Sequence, residues 1–261
     1  MDAMEMVKAN HIKSMVAAGE REDGRDLKTF RPIKVSVGML KNAEGSAQVQ
    51  IGNTTILAGV KLDIEEPMED TPNQGNLIMS GELLPLASEK YETGPPSPSA
   101  IEFGRVVDRG IRHGNCIDLT SLFIEEGKVW TVFIDLYVIN SDGNLFDAGT
   151  MAAMAALMNT KVPAVKDGLA VRTERTTPLK INNIVTSTTF AKIKDKLLLD
   201  PDGDEEMAAD CRLTIATDEE KVRSMQKGLR GGIFKAEIEQ MLDVSFNKHK
   251  ELKDILTKAQ V

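Results

Sequence analysis

The chain has 261 residues and carries 40 acidic against 32 basic side chains, a formal charge of −8 at pH 7. With 41% hydrophobic and 28% charged residues it has a globular composition and enough length to bury a large core, so disorder is excluded. The acidic balance also excludes a chain that coats itself in nucleic acid through a general positive field.

Apolar positions at Met4, Val7, Ile12, Met15 and Val16 predict a short amphipathic helix, with Gly19 placed to end it. A charged segment follows over 20–28. Then Ile33, Val35 and Val37, next Ala47, Val49 and Ile51, and next Ile56, Ala58, Val60, Leu62 and Ile64 alternate with other residues. This is a three-stranded meander, turned at 42–45 and again, tightly, at Gly52-Asn53. Residues 65–76 read as an acidic loop. Gly94-Pro95-Pro96-Ser97-Pro98 is a rigid lead-in to a helix, with Ser99 as the expected N-cap and Glu102 at capping-box spacing. That helix runs to about His113. Strands are expected over 117–125 and 129–139, joined around Gly127, the second one central. Asp142-Gly143 turns the chain into a small-residue helix over 148–158. Beyond Pro163, strands are expected around 168–173, 181–190, 193–199 and 211–217, with the acidic run 200–206 as a loop. Gly231-Gly232 precedes a long C-terminal helix that sets Phe234, Ile238, Met241, Leu242, Leu252, Ile255 and Leu256 mostly on one face. The pattern is α+β in two similar halves. The expected divisions are an N-terminal helix and lead-in (1–29), a first half (30–162) and a second half with the C-terminal helix (163–261).

The beginning of the chain, with Asp2 and Glu5, lacks the pattern of a signal peptide, and no apolar run approaches the ~20 residues of a membrane span. Cys116 and Cys211 are unclustered and the three histidines are scattered, so neither a disulfide framework nor a metal site is expected. The expected location is the cytoplasm.

Chemistry concentrates in a few places. On the helix after Ser99, Phe103, Val106, Val107 and Ile111 share one face, while Arg105, Arg109 and Arg112 share the opposite one. Three guanidinium forks in a row suit phosphates. The plainer reading is a solvated face with salt bridges to Glu102 and Asp108. The turn Ser141-Asp142-Gly143-Asn144-Leu145-Phe146-Asp147 leads into a helix and so resembles an anion site. Yet Leu145 and Phe146 stand where hydroxyl or basic groups would be needed, and Asp147 repels a phosphate, so the turn reads as structural. Within the acidic run, most carboxylates read as solvated. Asp210 differs, because it abuts the strand 211–217 and is expected to point toward the sheet.

Taken together, Glu22-Asp23-Gly24-Arg25, Phe30-Arg31-Pro32, Gly45-Ser46-Ala47 and Gly52 to Ala58 resemble the opening of RNase PH-type proteins. Residues 101–112, 129–138 and 142–157 follow in that family's order, and the likeness covers roughly 20–260. It is nearest to the catalytically silent RNase PH-like subunit of the archaeal exosome. The resemblance implies the RNase PH fold, two packed β-α-β-type halves of the ribosomal protein S5 domain 2-like kind. It also implies a hexameric ring in which three such chains alternate with three active RNase PH-like subunits, working with RNA-binding cap subunits on single-stranded RNA. The implied reaction is 3′→5′ phosphorolysis, with Mg²⁺ assisting, if at all, in the active partner and no cofactor in this chain. Active members carry a hydroxyl and a guanidinium in the turn before the Ala-rich helix. Asn144, Leu145 and Phe146 replace them here, so no catalytic residue is assigned. Asp210 matches the family's catalytic acid, and Arg105, Arg109 and then Arg112 are the implied RNA contacts. The alternative is a self-sufficient phosphorolytic exoribonuclease. A small-molecule kinase of related fold would need a glycine-rich phosphate loop, which Gly228 to Gly232 does not supply.

Overall fold

Across the meander, the alternation becomes a row of side chains on one face. Strands β1 (Ile33–Val37), β2 (Gly45–Ile51) and β3 (Thr54–Glu65) pair antiparallel, and β3 pairs antiparallel with β6 (Lys128–Asn140). The register sets Val35 opposite Val49, Val49 opposite Ile56 and Ile56 opposite Val138. The last three are completely buried, each contributing about 1.5–3 kcal/mol of burial as an upper estimate. On its other edge β6 pairs parallel with β4 (Asn76–Leu83), and the short β5 (Phe123–Glu125) also joins it. This computed structural model describes residues 3–260.

Two helices cover the buried face of that sheet. They are α2 (Pro98–His113) and α3 (Leu145–Met158). The alanines of α3 permit close approach: at Gly45 a Cβ would lie 2.4 Å from the Ala156 carbonyl oxygen, so only glycine fits. Beyond them lies a second sheet in the order β10 (Lys196–Leu199), β9 (Thr186–Ile193), β11 (Cys211–Thr217), β12 (Val222–Gly228), all antiparallel. The period-2 alternation of β9 shows the layering. Ser187 and Thr189 bond to residues of α3, while Thr186 and Thr188 bond to His249 and Ser245 of the C-terminal helix α5 (Lys235–Lys258). The order is therefore sheet, α2 and α3, sheet, α5. One continuous core runs through it. A smaller hairpin of β7 (Lys161–Lys166) and β8 (Leu169–Pro178) is anchored where Lys61, Arg172 and Arg175 surround the buried Glu44 carboxylate. The α+β class and the RNase PH-type layering agree with the sequence reading.

Several elements differ from it. β4, β7 and β12 were not expected. Within 117–125 the chain forms a 3₁₀ turn at Leu119–Leu122, leaving only the three residues of β5 as strand. Ile181 makes just one isolated bridge, to Ile117, and β9 starts at Thr186. Helix α1 (Ala3–Ala17) buries Ala9, Ile12 and Val16 against Ile193, Leu198 and Ala208. Met4 and Val7, on its expected apolar face, are exposed, and this part of the helix meets the body through the ion pairs Glu5–Lys90 and Lys8–Asp204. The acidic run is not a loop throughout: Gly203–Ala208 forms α4, started by a reciprocal capping box between Asp202 and Glu205. Among the described residues no helix is long and apolar enough to cross a membrane.

Candidate functional site

Helix α2 is capped by Ser97, whose side chain accepts from the Ala100 N–H at 3.2 Å, with Pro98 in the first helical position. The expected cap, Ser99, lies inside the helix, because proline at N1 moves the start two residues back. Phe103, Val106, Val107 and Ile111 are buried as their spacing demands, and Gly104 lies against Gly81 of β4.

The three arginines then part company. Arg112 is tied down: it forms a salt bridge with Asp108 at 2.7 Å and donates to the Leu77 carbonyl at 2.8 Å. Arg109 makes only a 3.4 Å contact with Gln226 Oε1. Arg105 is exposed and has no hydrogen bond or ion pair among the described residues. Arg105 and Arg109 line a groove of about 470 Å³ with Ile101, Glu102 and Gln226. The one carboxylate there, Glu102, is already neutralised by Arg212 at 2.7 Å. A groove with two unpaired guanidiniums is thus locally positive on an acidic chain, and it suits a phosphodiester.

The turn before α3 is packed tightly. Gly143 has φ +73°, and a Cβ there would lie 2.4 Å from the Asp202 carbonyl carbon. Asn144 is left-handed, at φ +50°, and buried. Its N–H donates to Glu206 Oε1 at 2.9 Å, and its Nδ2 donates to Asp147 at 2.9 Å and to Asp200 at 2.6 Å. Leu145 is half-buried, and Phe146 is buried against Phe103, with ring centres 6.4 Å apart. The Arg212 guanidinium carbon lies 4.4 Å from the centre of the Phe146 ring. Residues 144–146 therefore direct their side chains into packing and internal bonds.

Asp147 is fully buried and accepts from Thr189 N–H and Oγ1, both at 2.8 Å. Burial outweighs these donors and pushes its carboxyl up to about 6. A carboxyl raised on folding contributes stability that is fully present below its unfolded value and lost as pH rises through 6. Asp147→Asn should therefore remove about 2 kcal/mol of the fall in stability between pH 4.5 and 7.5. Urea melts at the two pH values check this, and an unchanged difference would contradict it.

Asp200 and Glu205 of the acidic run form a buried ion network where solvated carboxylates were expected. Asp200 accepts from Arg31 N–H at 2.8 Å, Arg31 Nε at 2.9 Å, Arg31 Nη2 at 2.8 Å and Arg25 Nη1 at 2.9 Å. Glu205 accepts from Arg21 Nε at 2.8 Å. Burial alone would raise the Asp200 carboxyl, but the hydrogen bonds and charge of Arg31 hold it below the ordinary aspartate value. The two halves are clasped here. The motif residues Arg25 and Arg31 serve this clasp.

Asp210 is exposed, held by Lys13 Nζ at 3.2 Å and by the Lys194 N–H at 2.8 Å. Its carboxylate caps the β9–β10 turn and does not point toward the sheet. A cleft of about 650 Å³ opens beside the α3 turn, lined by Ser141, Gly143, Glu206 and Arg212 among others, and Asp210 does not line it. Sequence reasoning missed Arg212 and Glu206. Alternation along β11 puts Arg212 on one face with Thr214 and Ala216, which is the signal that was available.

Residues 29–163 match domain 1 of the 3′ exoribonuclease family, and residues 183–248 match its domain 2. The exosome complex component Rrp42 of Methanopyrus kandleri is 43% identical over 258 residues, covering 97% of each chain. That of Thermococcus gammatolerans is 42% identical over 266 residues, covering 99% of this chain and 97% of its own. Among solved structures, a chain of the Archaeoglobus fulgidus exosome with RNA bound to the active site superposes with a TM-score of 0.91 at 40% identity, covering 97% of this chain and 99% of that one. A chain of an archaeal exosome core gives 0.87 at 37% identity, covering 97% and 98%. With both domains matched in order and the fold shared along almost its whole length, the chain belongs to the 3′ exoribonuclease (RNase PH) family.

Proposed function

We propose that this chain is a non-catalytic subunit of an archaeal exosome. It pairs with an active RNase PH-like subunit in a hexameric ring, shapes that partner's active site, and offers Arg105 and Arg109, with Arg112 third, to RNA phosphates during 3′→5′ phosphorolysis. In that reaction a phosphate oxygen attacks the terminal phosphorus, the 3′-oxygen leaves, and a nucleoside diphosphate is released. RNA-binding cap subunits complete the assembly, any Mg²⁺ belongs to the active partner, and the location is cytoplasmic. The relatives named as exosome components support the assembly.

The observation that carries the non-catalytic reading is the sequence Asn144-Leu145-Phe146, which supplies neither a hydroxyl nor a cation to the turn before α3. Without a group to hold the anionic nucleophile, a carboxylate has nothing to act on, and Asp210 does not line the cleft beside that turn. The same pair, Leu145-Phe146, counts against a self-sufficient nuclease. The test is co-purification with the active subunit, followed by phosphate-dependent decay of a tailed RNA. This chain alone should give no decay, the partner alone little, and the two together full activity. Decay by the purified chain alone would overturn the reading.

A further inference from the structure

The outer face of the second sheet meets α5 through a short polar ladder. Ser245 and His249 stand one turn apart on the helix, and Thr188 and Thr186 alternate with them along β9. Thr188 Oγ1 lies 2.6 Å from Ser245 Oγ, and Thr186 Oγ1 lies 2.9 Å from His249 Nδ1. His249 is only 2% exposed. Its Nε2 is buried without a hydrogen-bond partner among the described residues, and so is the hydroxyl of Thr217, which stands opposite Thr186 in the sheet. We propose that His249 is an acid-sensitive latch: neutral, it holds the C-terminal half of α5 on the sheet, and protonated, it releases residues 246–258.

An imidazolium at this place would be a buried cation with no carboxylate bonded to it. The charged groups around it come from two segments. On α5 itself Lys253 follows one turn later, and just after β11 stand Asp218 and Glu219. Asp218 is paired with Arg223 and Glu219 with Lys253, so both carboxylates are already engaged. β9 and β11 face the ring with threonines, and α3 meets the end of α5 through a neutral bond from Gln260 to the Ala155 carbonyl. Burial, and after it Lys253, hold the imidazole below its ordinary value against the pull of Asp218, Glu219 and the Thr217 backbone. The two ends of α5 differ in what fastens them. At the start, Glu237 accepts from the Phe234 N–H at 2.7 Å and pairs with Lys192 at 2.7 Å, well before His249 in the helix. Beyond Ser245 only His249, Leu252 and Leu256 are buried, and a freed segment of that length is marginal as a helix in water.

A histidine held low by folding adds stability that is present above its unfolded value, 6.5, and lost as pH falls. Moving the full chain from pH 7.5 to 5.5 should therefore raise the opening of residues 246–258 by up to about 10-fold. Hydrogen exchange, expressed as protection factors, measures this, and residues 239–244 are the internal comparison that should keep their protection. His249→Gln can still bond Thr186 and does not titrate, so it should abolish the pH response of the segment. An equal pH response in both halves of α5, or the same response in the variant, would overturn the latch. If the variant does not fold, the unaltered protein still decides. Its His249 ring protons should titrate below 6.5, and titration at that ordinary value would refute the proposal.

Discussion

Exchanging Arg105 and Arg109 together for glutamate should weaken RNA binding by the assembled complex about 100-fold near 0.1 M salt. Both side chains are exposed on α2, Arg105 has no partner among the described residues, and Arg109 makes only one long contact, so the helix itself should stand. The loss has two parts: two charge-assisted phosphate contacts disappear, and two carboxylates repel the strand in their place. The slope of log affinity against log salt should also fall by about 2, one for each phosphate released. Filter binding across a salt series reads both quantities, and size-exclusion chromatography reads whether the ring is intact. RNA affinity unchanged at moderate salt would remove this groove from the RNA path. Arg112 should matter less for RNA, because Asp108 and the Leu77 carbonyl already occupy its guanidinium.

Asp200→Ala should destabilise the fold by about 3–5 kcal/mol, since it strips the partner from a buried charge. Arg31 is only 6% exposed in its side chain and directs three donors at that one carboxylate. Removal also leaves Arg25 with Asp23 as its carboxylate partner and an Asn144 amide hydrogen without its acceptor. The melting midpoint should fall by roughly 10 °C. Asp210→Ala, in the same acidic stretch, is the internal comparison. Its pair with Lys13 joins an exposed carboxylate to a half-buried lysine, so the cost should stay within about 1 kcal/mol. Equal losses in the two variants would mean that the Arg31–Asp200 cluster does not hold the halves together.

That contrast shows where the sequence was legible. Periodicity revealed the meander, the buried face of α2, the alanine-rich α3 and the strand 211–217, because those patterns repeat within a few residues. The network around Asp200 was not legible, since Arg25 and Arg31 lie 175 and 169 residues away from it along the chain. Local composition showed only charge, and charge in a run looks solvated. β4 escaped for a related reason: it is held by a parallel pairing with β6, which no turn announces. The start of α4 was readable in principle, as Asp202 and Glu205 stand at capping-box spacing, but the surrounding carboxylates masked it. The arginine stripe on α2 was visible as a stripe. Which of its members remained unpaired depended on Asp108, Leu77 and Gln226, and only the folded chain shows that.

Because α3 packs on both sheets, the order of synthesis has a consequence. The meander, α2 and α3 leave the ribosome first, and the side of α3 that will meet β9 stays wet until the second sheet is made. A nascent chain at that stage exposes apolar surface of the kind that draws unfinished chains together. Arg21, Arg25 and Arg31 emerge earlier still, and their carboxylates at 200 and 205 come long afterwards. A message truncated between the two would leave Arg21 without its carboxylate, Arg25 and Arg31 with only Asp23 and Asp142, and a helix with one uncovered side, so no shortened product of this chain is expected to survive as a folded half.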